Sequence, residues 1–335
     1  MNSQNKGRQP FMSLAVHVLQ KAGILGAVLV SAAVILAFIL PLGQAFAPLF
    51  SGRLSAAYSL RQLLRISGYT FAEAFASTLL ALLLGIPAAF FIARRQFPGR
   101  KLLMSCSAVP LCVPPLIVAL GYISTFGMAG YANRILSFLA GRKDNPFSFL
   151  YSFQGLIMTQ GFYNFPIVMA SVADAWSQLD DSQADSARLL GAGEARCFFS
   201  ITFFQLLPAL LSGAMTVFIY CFFSFMFVLL FGVTGGTTLE VAIYHAGRSS
   251  MDFKAAASLA LLETLSAFLT LFLLNRVENM AKRVKGLSFA GISCKPLPLG
   301  KKERFPAVVF FSVIFIFFLL PLLSIIAASC TVRTG

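Results

Sequence analysis

The stretch DSARLLGAGEARCFFSITFFQLLP, residues 185–208, is a short hydrophilic segment in an otherwise apolar chain. It places two acidic and two basic residues around a pair of glycines and then returns to hydrophobic residues. Long apolar runs lie on both sides of it, so the segment is interpreted as a connection between two of them. Its role depends on the kind of protein that surrounds it.

The composition indicates a membrane protein. Of the 335 residues, 58% are hydrophobic and 11% are charged, and the mean hydropathy is +0.82. Soluble globular domains contain about 25% charged residues, so water cannot solvate most of this chain. The net charge of +14 does not indicate nucleic-acid binding, because the basic residues lie in short segments between apolar runs.

Seven stretches are long enough to cross a bilayer as helices, which takes about 20 apolar residues. The first is longer than the core of a secretory signal, so we expect an uncleaved anchor although Ala45-Phe46-Ala47 resembles a cleavage site. The predicted fold is therefore an all-α, polytopic membrane bundle of about seven transmembrane helices. The predicted spans are residues 22–42, 70–93, 102–125, 150–174, 206–232, 255–275 and 306–328.

The basic residues predict the orientation of the bundle. With a cytoplasmic amino terminus, the inner segments hold 17 Lys and Arg residues and the outer segments hold nine. Because Lys and Arg accumulate on the cytoplasmic side of membrane proteins, we predict that the N-terminus is cytoplasmic. The segment at residues 185–208 then also faces the cytoplasm.

That segment belongs to a predicted cytoplasmic loop at residues 177–205. Two short helices joined at Gly191-Ala192-Gly193 are expected, and Pro208 is expected to open the next span. Ser182 with Asp185 makes a start similar to a capping box. A stripe of small residues follows on one helix face, and an ordinary amphipathic loop helix would show the same features. The stripe is Ala184, Ala187 and Leu190.

The pattern resembles the cytoplasmic coupling motif of binding-protein-dependent ABC importer permeases of the type I fold. That motif reads Glu-Ala-Ala, three residues, Gly, nine residues, Ile, any residue and Leu-Pro. Here Asp185-Ser186-Ala187 takes the place of Glu-Ala-Ala, and Phe203-Phe204 replaces Leu-Pro. The resemblance implies coupling to a separate ATPase through Asp185, Ser186, Ala187, Gly191 and Ile201.

Two more stretches resemble the iron(III) and thiamine permease group of this family. GGTTLEVAIY, residues 235–244, is similar to its outer loop, and VPLCVPPLIVALG, residues 109–121, is similar to its proline-rich helix. The resemblance implies a permease for ferric iron or thiamine in the bacterial cytoplasmic (inner) membrane. The implied partners are an ABC ATPase dimer, a second permease half, a periplasmic or lipid-anchored solute-binding protein and membrane lipid.

Catalytic motifs are missing from the sequence. It has no GxxxxGK[ST] loop, which cradles the phosphates of ATP, so we expect that this chain binds no cofactor and that the partner ATPase uses the ATP. No cluster of nucleophile, base or metal ligands lies in the predicted spans. We therefore expect neither an enzyme nor a metal site.

Two spans have features of a translocation pathway. Prolines free backbone carbonyls, which a membrane tolerates only beside protein or a water-filled cavity, and Pro110, Pro114 and Pro115 lie in the third predicted span. Gln160, Tyr163 and Asn164 form a polar group at about mid-depth of the fourth. Hydrogen bonds that hold helices together would explain these polar residues equally well.

Two acidic residues lie within or beside predicted spans. Glu263 is inside the sixth span, where a carboxylate is costly, and an ion-gradient-driven secondary transporter, the alternative function, would use such a group. It has no obvious partner in the sequence, which favours a helix-packing role or a protonated carboxyl group. Glu73 is expected at a span edge, within reach of water.

The order of segments predicts a domain organisation. Residues 1–21 form a cytoplasmic N-terminus, 22–276 a six-helix permease half, 277–305 a basic cytoplasmic linker and 306–335 a seventh helix. No second coupling motif follows. We expect the seventh helix to begin the second half of a truncated or split fused permease; a single-half protein with an extra anchor is the alternative.

Overall fold

The computed structural model describes residues 58–105, 108, 112–141, 148–179, 182–232, 236–284 and 296–330, with parts of 26–43. The predicted N-terminal segment 1–21 lies outside the described residues, as do residues 285–295 of the predicted linker. Six described helical segments are long and apolar enough to cross a membrane, and one of them, Pro115–Leu139, is made of two consecutive shorter helices. A shorter apolar helix, α1 (Val28–Ala37), lies within the first predicted span.

The all-α membrane bundle is confirmed. The helices are α2 (Leu60–Arg94), α3 (Arg100–Ser105), α4 (Pro115–Phe126), α5 (Tyr131–Ala140), α6 (Phe153–Ser177), α7 (Ser182–Leu189), α8 (Glu194–Phe222), α9 (Phe225–Phe231), α10 (Leu239–Tyr244), α11 (Phe253–Val284) and α12 (residues 301–330). Single π-helical turns lie at Phe198–Thr202 in α8, at His245–Ser249 after α10 and at Phe315–Leu319 in α12. Strands β1 (Arg95–Gln96) and β2 (Leu297–Pro298) pair in parallel.

Helix α2 begins at Leu60, well before the predicted residue 70. Ser59 caps it: the Ser59 hydroxyl accepts a hydrogen bond from the Gln62 backbone, and the Gln62 side chain accepts one from the Ser59 backbone at 2.8 Å. This capping box satisfies backbone donors at the helix start. The helix therefore extends beyond its apolar part through a polar first turn.

Small residues on α2 create its contact with α6. Ser77, Ala81 and Gly85 recur every fourth residue and are buried. Residues with this spacing let two helix backbones approach closely. A Cβ added to Gly85 would lie 2.7 Å from the Cβ of Val168 on α6. Helix α8 packs against both helices, and these three form the larger part of the core.

The predicted third span, residues 102–125, is wrong in its bounds. Helix α3 ends at Ser105, and α4 begins only at Pro115, with Pro114 at its N-cap. Proline lacks an N–H and is accommodated in the first helical turn, where no intrahelical acceptor is needed. The two prolines therefore start a helix instead of interrupting one. Pro110 lies outside the described residues.

The predicted fifth span, residues 206–232, is also wrong in its bounds. Helix α8 already begins at Glu194 and ends at Phe222, and α9 follows as a separate short helix. Ser224 lies at this break, with backbone angles outside the helical region, and its hydroxyl accepts a hydrogen bond from α6. Pro208 lies inside α8 and does not open it.

The prediction that Glu73 reaches water is wrong. Its side chain is fully buried between the helices, although it lies only four turns from the start of α2. The Ser77 hydroxyl donates a hydrogen bond of 3.2 Å to Glu73 Oε1, and no described residue bonds to Oε2. Because α6 and α8 cover this side of α2, the carboxyl group is packed inside the bundle.

Candidate functional site

The hydrophilic segment forms a helical hairpin, which we call the coupling hairpin and define as residues 182–205. Helix α7 ends in a Schellman motif, in which the Ala192 N–H donates to the Ala187 carbonyl at 3.0 Å and the Gly191 N–H to the Arg188 carbonyl at 2.9 Å. Gly191 has φ +88°. This left-handed conformation favours glycine, because side chains with a Cβ clash with their own backbone there.

Arg188 clamps the two arms of the hairpin together. Its guanidinium donates to Asp185 Oδ1 at 2.6 Å on the same helix and to both carboxylate oxygens of Glu194, at 2.9 and 3.0 Å, on the next. Hydrogen bonding to Glu194, and then to Asp185, raises the pKa of Arg188 above its usual value. These exposed ion pairs add little stability, but they fix the angle between α7 and α8.

The inner face of α7 packs on the chain's own α8. Ala184 is buried, and the Cys197 thiol lies 3.8 Å from the Ala184 carbonyl. The Gln205 amide donates to the Gln183 side chain at 2.9 Å. The small residues of the stripe therefore face α8 at Ala184, while Leu190 points away and is exposed. The sequence offered no signal for Cys197 or for the glutamine pair.

The second arm of the hairpin differs from the prediction. It is not a separate short helix, because the backbone runs from Glu194 through the π turn into the rest of α8. The family motif has Leu-Pro at the positions of Phe203 and Phe204, and without a proline there the helix continues. Ile201 lies in the π turn and is half-buried.

The hairpin exposes apolar side chains at its tip. Leu189 and Leu190 are 88% and 89% exposed and lie between Arg188 and the glycine turn. Asp185 and Ser186 are exposed as well, with the Ser186 hydroxyl bonded to the Ser182 carbonyl at 2.7 Å, and Ala187 is half-buried. The tip thus combines exposed leucines with a turn closed by backbone hydrogen bonds, which suits a docking surface.

The predicted pathway residues do not share one surface. Gln160 and Asn164 are buried and donate to Ser224 Oγ at 2.7 Å and Cys221 Sγ at 3.5 Å. The Tyr163 hydroxyl donates to the Val113 carbonyl at 2.8 Å, just before Pro114 and Pro115, which are exposed at the start of α4. Each polar side chain thus bonds to a neighbouring segment, which supports a packing role. The pathway role stays a prediction.

Replacing Asn164 with leucine (N164L) separates these two roles. The Asn164 Oδ1 has no partner among the described residues, and the Nδ2 donates to the Cys221 sulfur, a weak acceptor, so an apolar side chain of similar size should cost little stability. We expect an unchanged or higher thermal midpoint in detergent and reduced solute uptake. The control is T159V on the same helix, whose buried hydroxyl also has no described partner; full uptake in both variants contradicts a pathway role for Asn164.

Comparison with known proteins gives a family match over most of the chain. Residues 81–285 match the family model described as binding-protein-dependent transport system inner membrane component. The chain is 31% identical over 275 residues to the thiamine transport system permease protein ThiP of Brucella abortus (strain 2308), covering 80% of this chain and 49% of that protein. The chain thus spans about half the length of this relative.

Other relatives and solved structures agree with this match. The provisionally named 2-aminoethylphosphonate transport system permease protein PhnU of Salmonella choleraesuis (strain SC-B67) is 31% identical over 189 residues, 56% of this chain and 66% of that protein. A chain in the crystal structure of a bacterial ABC transporter involved in the import of alginate superposes with a TM-score of 0.57 at 16% identity, covering 82% of this chain and 99% of that chain. This similarity shows a shared fold.

Proposed function

The chain belongs to the family of binding-protein-dependent transport system inner membrane components, and from this premise we propose that it is a permease subunit of an ABC importer. It forms part of the pathway through which a small solute, handed over by an extracytoplasmic binding protein, crosses the inner membrane. A separate ATPase dimer supplies the energy, and a second permease half completes the pathway. The coupling hairpin is the observation that carries this proposal.

The contacts of the coupling hairpin suit it to transmit the motion of a bound partner to the membrane helices. Arg188 and the Gln183–Gln205 pair connect α7 to the first turns of α8. Helix α8 is 29 residues long, roughly 43 Å at 1.5 Å per residue, and packs on α2 and α6. An ATPase that binds the exposed tip and changes shape would therefore move α8 as one lever. The π turn at Phe198–Thr202 and Pro208 are irregularities along this path.

Thiamine is the proposed solute, because the relative aligned over 275 residues carries that name. The name of the second relative makes 2-aminoethylphosphonate the competing solute. Ferric iron stays a prediction from the sequence resemblance. Uptake of the three radiolabelled solutes by cells that produce the complete transporter distinguishes them.

Replacing Gly191 with alanine (G191A) tests the coupling role. A Cβ at Gly191 meets no atom within 4 Å, so the cost comes from the left-handed backbone, about 1 kcal/mol or more. We expect the hairpin turn to shift and both uptake and solute-stimulated ATP hydrolysis to fall severalfold, with the amount of assembled permease unchanged.

Gly193 provides the matched control for this experiment. A Cβ added to Gly193 also meets no atom within 4 Å, but the φ of −70° at Gly193 suits any residue. G193A is therefore expected to keep full uptake. Equal uptake by G191A and G193A would show that the hairpin turn has no role in coupling.

The second candidate function, an ion-gradient-driven transporter, is based on Glu263. The side chain is 8% exposed, and its Oε1 has no hydrogen-bond partner among the described residues. A carboxyl group without a described partner inside a span is a candidate for a functional role. Deleting the ATPase gene abolishes uptake under the importer proposal and leaves it intact under this alternative.

A further inference from the structure

The last helix, α12, contains a proline that leaves one backbone carbonyl of the helix without its usual hydrogen-bond donor. Pro321 has no N–H and cannot donate to the carbonyl of Phe317, four residues earlier. The π turn at Phe315–Leu319 comes directly before it. Inside a membrane, a backbone carbonyl freed in this way needs a donor from a neighbouring segment.

Tyr122 of α4 supplies this donor. Its hydroxyl donates a hydrogen bond to the Phe317 carbonyl, and the residue is 1% exposed. The Phe317 ring stacks on Phe126, one turn further along α4, with ring centroids 5.3 Å apart. It also lies 5.0 Å from the ring of Phe162 on α6. Both the backbone carbonyl and the aromatic ring of Phe317 therefore have partners on neighbouring helices of the bundle.

The adjacent glycine allows the two backbones to approach. A Cβ added to Gly121 would lie 2.5 Å from the Pro321 carbonyl oxygen and 2.8 Å from Ile325 Cδ1. The Ser324 hydroxyl lies 2.7 Å from the Pro321 carbonyl and 3.3 Å from that of Gly121, and it is buried between the helices. Alanine at position 121 already fails to fit without a backbone shift.

A second set of contacts holds the beginning of α12. Arg95 donates to both carboxylate oxygens of Glu303, at 2.7 and 2.6 Å, a bidentate geometry that is stronger than a single bond. Next to it, β1 pairs with β2, and the rings of Phe97 and Phe311 stack with centroids 4.9 Å apart. Both ends of α12 are therefore attached to the described body formed by residues 58–284.

We infer that Gly121, Tyr122 and Phe126 form a docking site on α4 for an apolar helix broken by proline, and that residues 296–330 occupy it through contacts and not through their covalent linker. Tyr122 is a positioning residue that recognises the carbonyl freed by Pro321. The helix that the sequence assigned to the start of a second half is thereby fixed to the first half. This docking does not require the importer function.

Cutting the full-length folded protein tests the docking. A site for a sequence-specific protease is inserted at residues 288–292, the purified protein is cleaved in mild detergent, and the body is recovered through a tag on the carboxyl-terminal fragment at increasing SDS. We expect the cleaved wild type to stay together. Y122F is expected to lower the ratio of bound to released body by about threefold to tenfold at a fixed SDS fraction, as for a lost interhelical hydrogen bond.

The double variant separates recognition from general packing. P321A restores the N–H that the Phe317 carbonyl lacks, so Y122F should have less than half its effect in the P321A background. G121L should release the body at lower SDS, and Y131F, which removes the hydroxyl of an exposed tyrosine on α5, should change nothing. Release of the wild-type body on cleavage alone overturns the docking site; an equal effect of Y122F in both backgrounds overturns recognition of the freed carbonyl.

Discussion

Replacing Leu190 with aspartate (L190D) is expected to abolish ATP-driven uptake while the permease still folds and inserts. The side chain is 89% exposed and packs on no core residue, so the substitution leaves the fold intact. In a complex with the ATPase the same position would be covered, and an unpaired buried charge costs several kcal/mol. Because about 1.4 kcal/mol corresponds to a tenfold change in affinity, we expect more than a tenfold loss of ATPase binding.

The measurement is co-purification of the ATPase with the tagged permease, together with solute uptake and the thermal midpoint of the permease alone. L297D is the matched control: Leu297 is 63% exposed in β2, outside the coupling hairpin, and the same charge there should leave ATPase binding unchanged. If L190D still binds the ATPase and transports at the wild-type rate, the hairpin tip is not the docking surface.

Replacing Gly85 with leucine (G85L) is expected to prevent the bundle from assembling. A first added carbon would already lie 2.7 Å from Val168 Cβ and 3.1 Å from the Phe165 carbonyl oxygen. The obstruction is the stem of a side chain and a backbone atom on α6, so no rotamer change relieves it. Overpacking of a core costs about 1 to 3 kcal/mol and sometimes more, and the α2–α6 contact is the most extensive helix contact among the described residues.

The readout for G85L is the yield of monodisperse protein in size-exclusion chromatography and the thermal midpoint of what remains. Gly68 lies on the same helix with no atom within 4 Å of an added Cβ, so G68L controls for leucine in place of helical glycine and should behave like the wild type. A G85L protein with the yield and midpoint of G68L contradicts the close approach of α2 and α6.

Part of the candidate site could be predicted from the sequence, and part could not. The glycine at the turn was predictable, because a glycine after a helical pattern is the usual left-handed C′ residue, and Gly191 has that conformation. Arg188 stands three residues after Asp185, a helical pair spacing, yet its second partner, Glu194, lies across the turn. Only the folded hairpin shows that one guanidinium holds both arms.

The long-range contacts of the bundle could not be predicted from the sequence. Gln160 and Ser224 are 64 residues apart along the chain, and Tyr122 and Phe317 are 195 apart. No local pattern marks either pair, since each residue alone suits a pathway, a packing contact or a lipid face equally well. For the same reason Glu73 was expected near water, because its depth depends on which helices cover α2.

By itself, the sequence determined that this is an all-α membrane protein with a hydrophilic, glycine-hinged loop midway along the chain. Hydropathy, helix length and glycine conformation are local properties, and summed over a window of about 20 residues they decide whether a segment can enter a bilayer. The tertiary structure alone decided that Pro115 starts a helix, that α8 continues from the hairpin without a break and that α12 docks on α4. In lipid a polar or backbone group must find its partner on another helix, and that choice depends on how the helices pack.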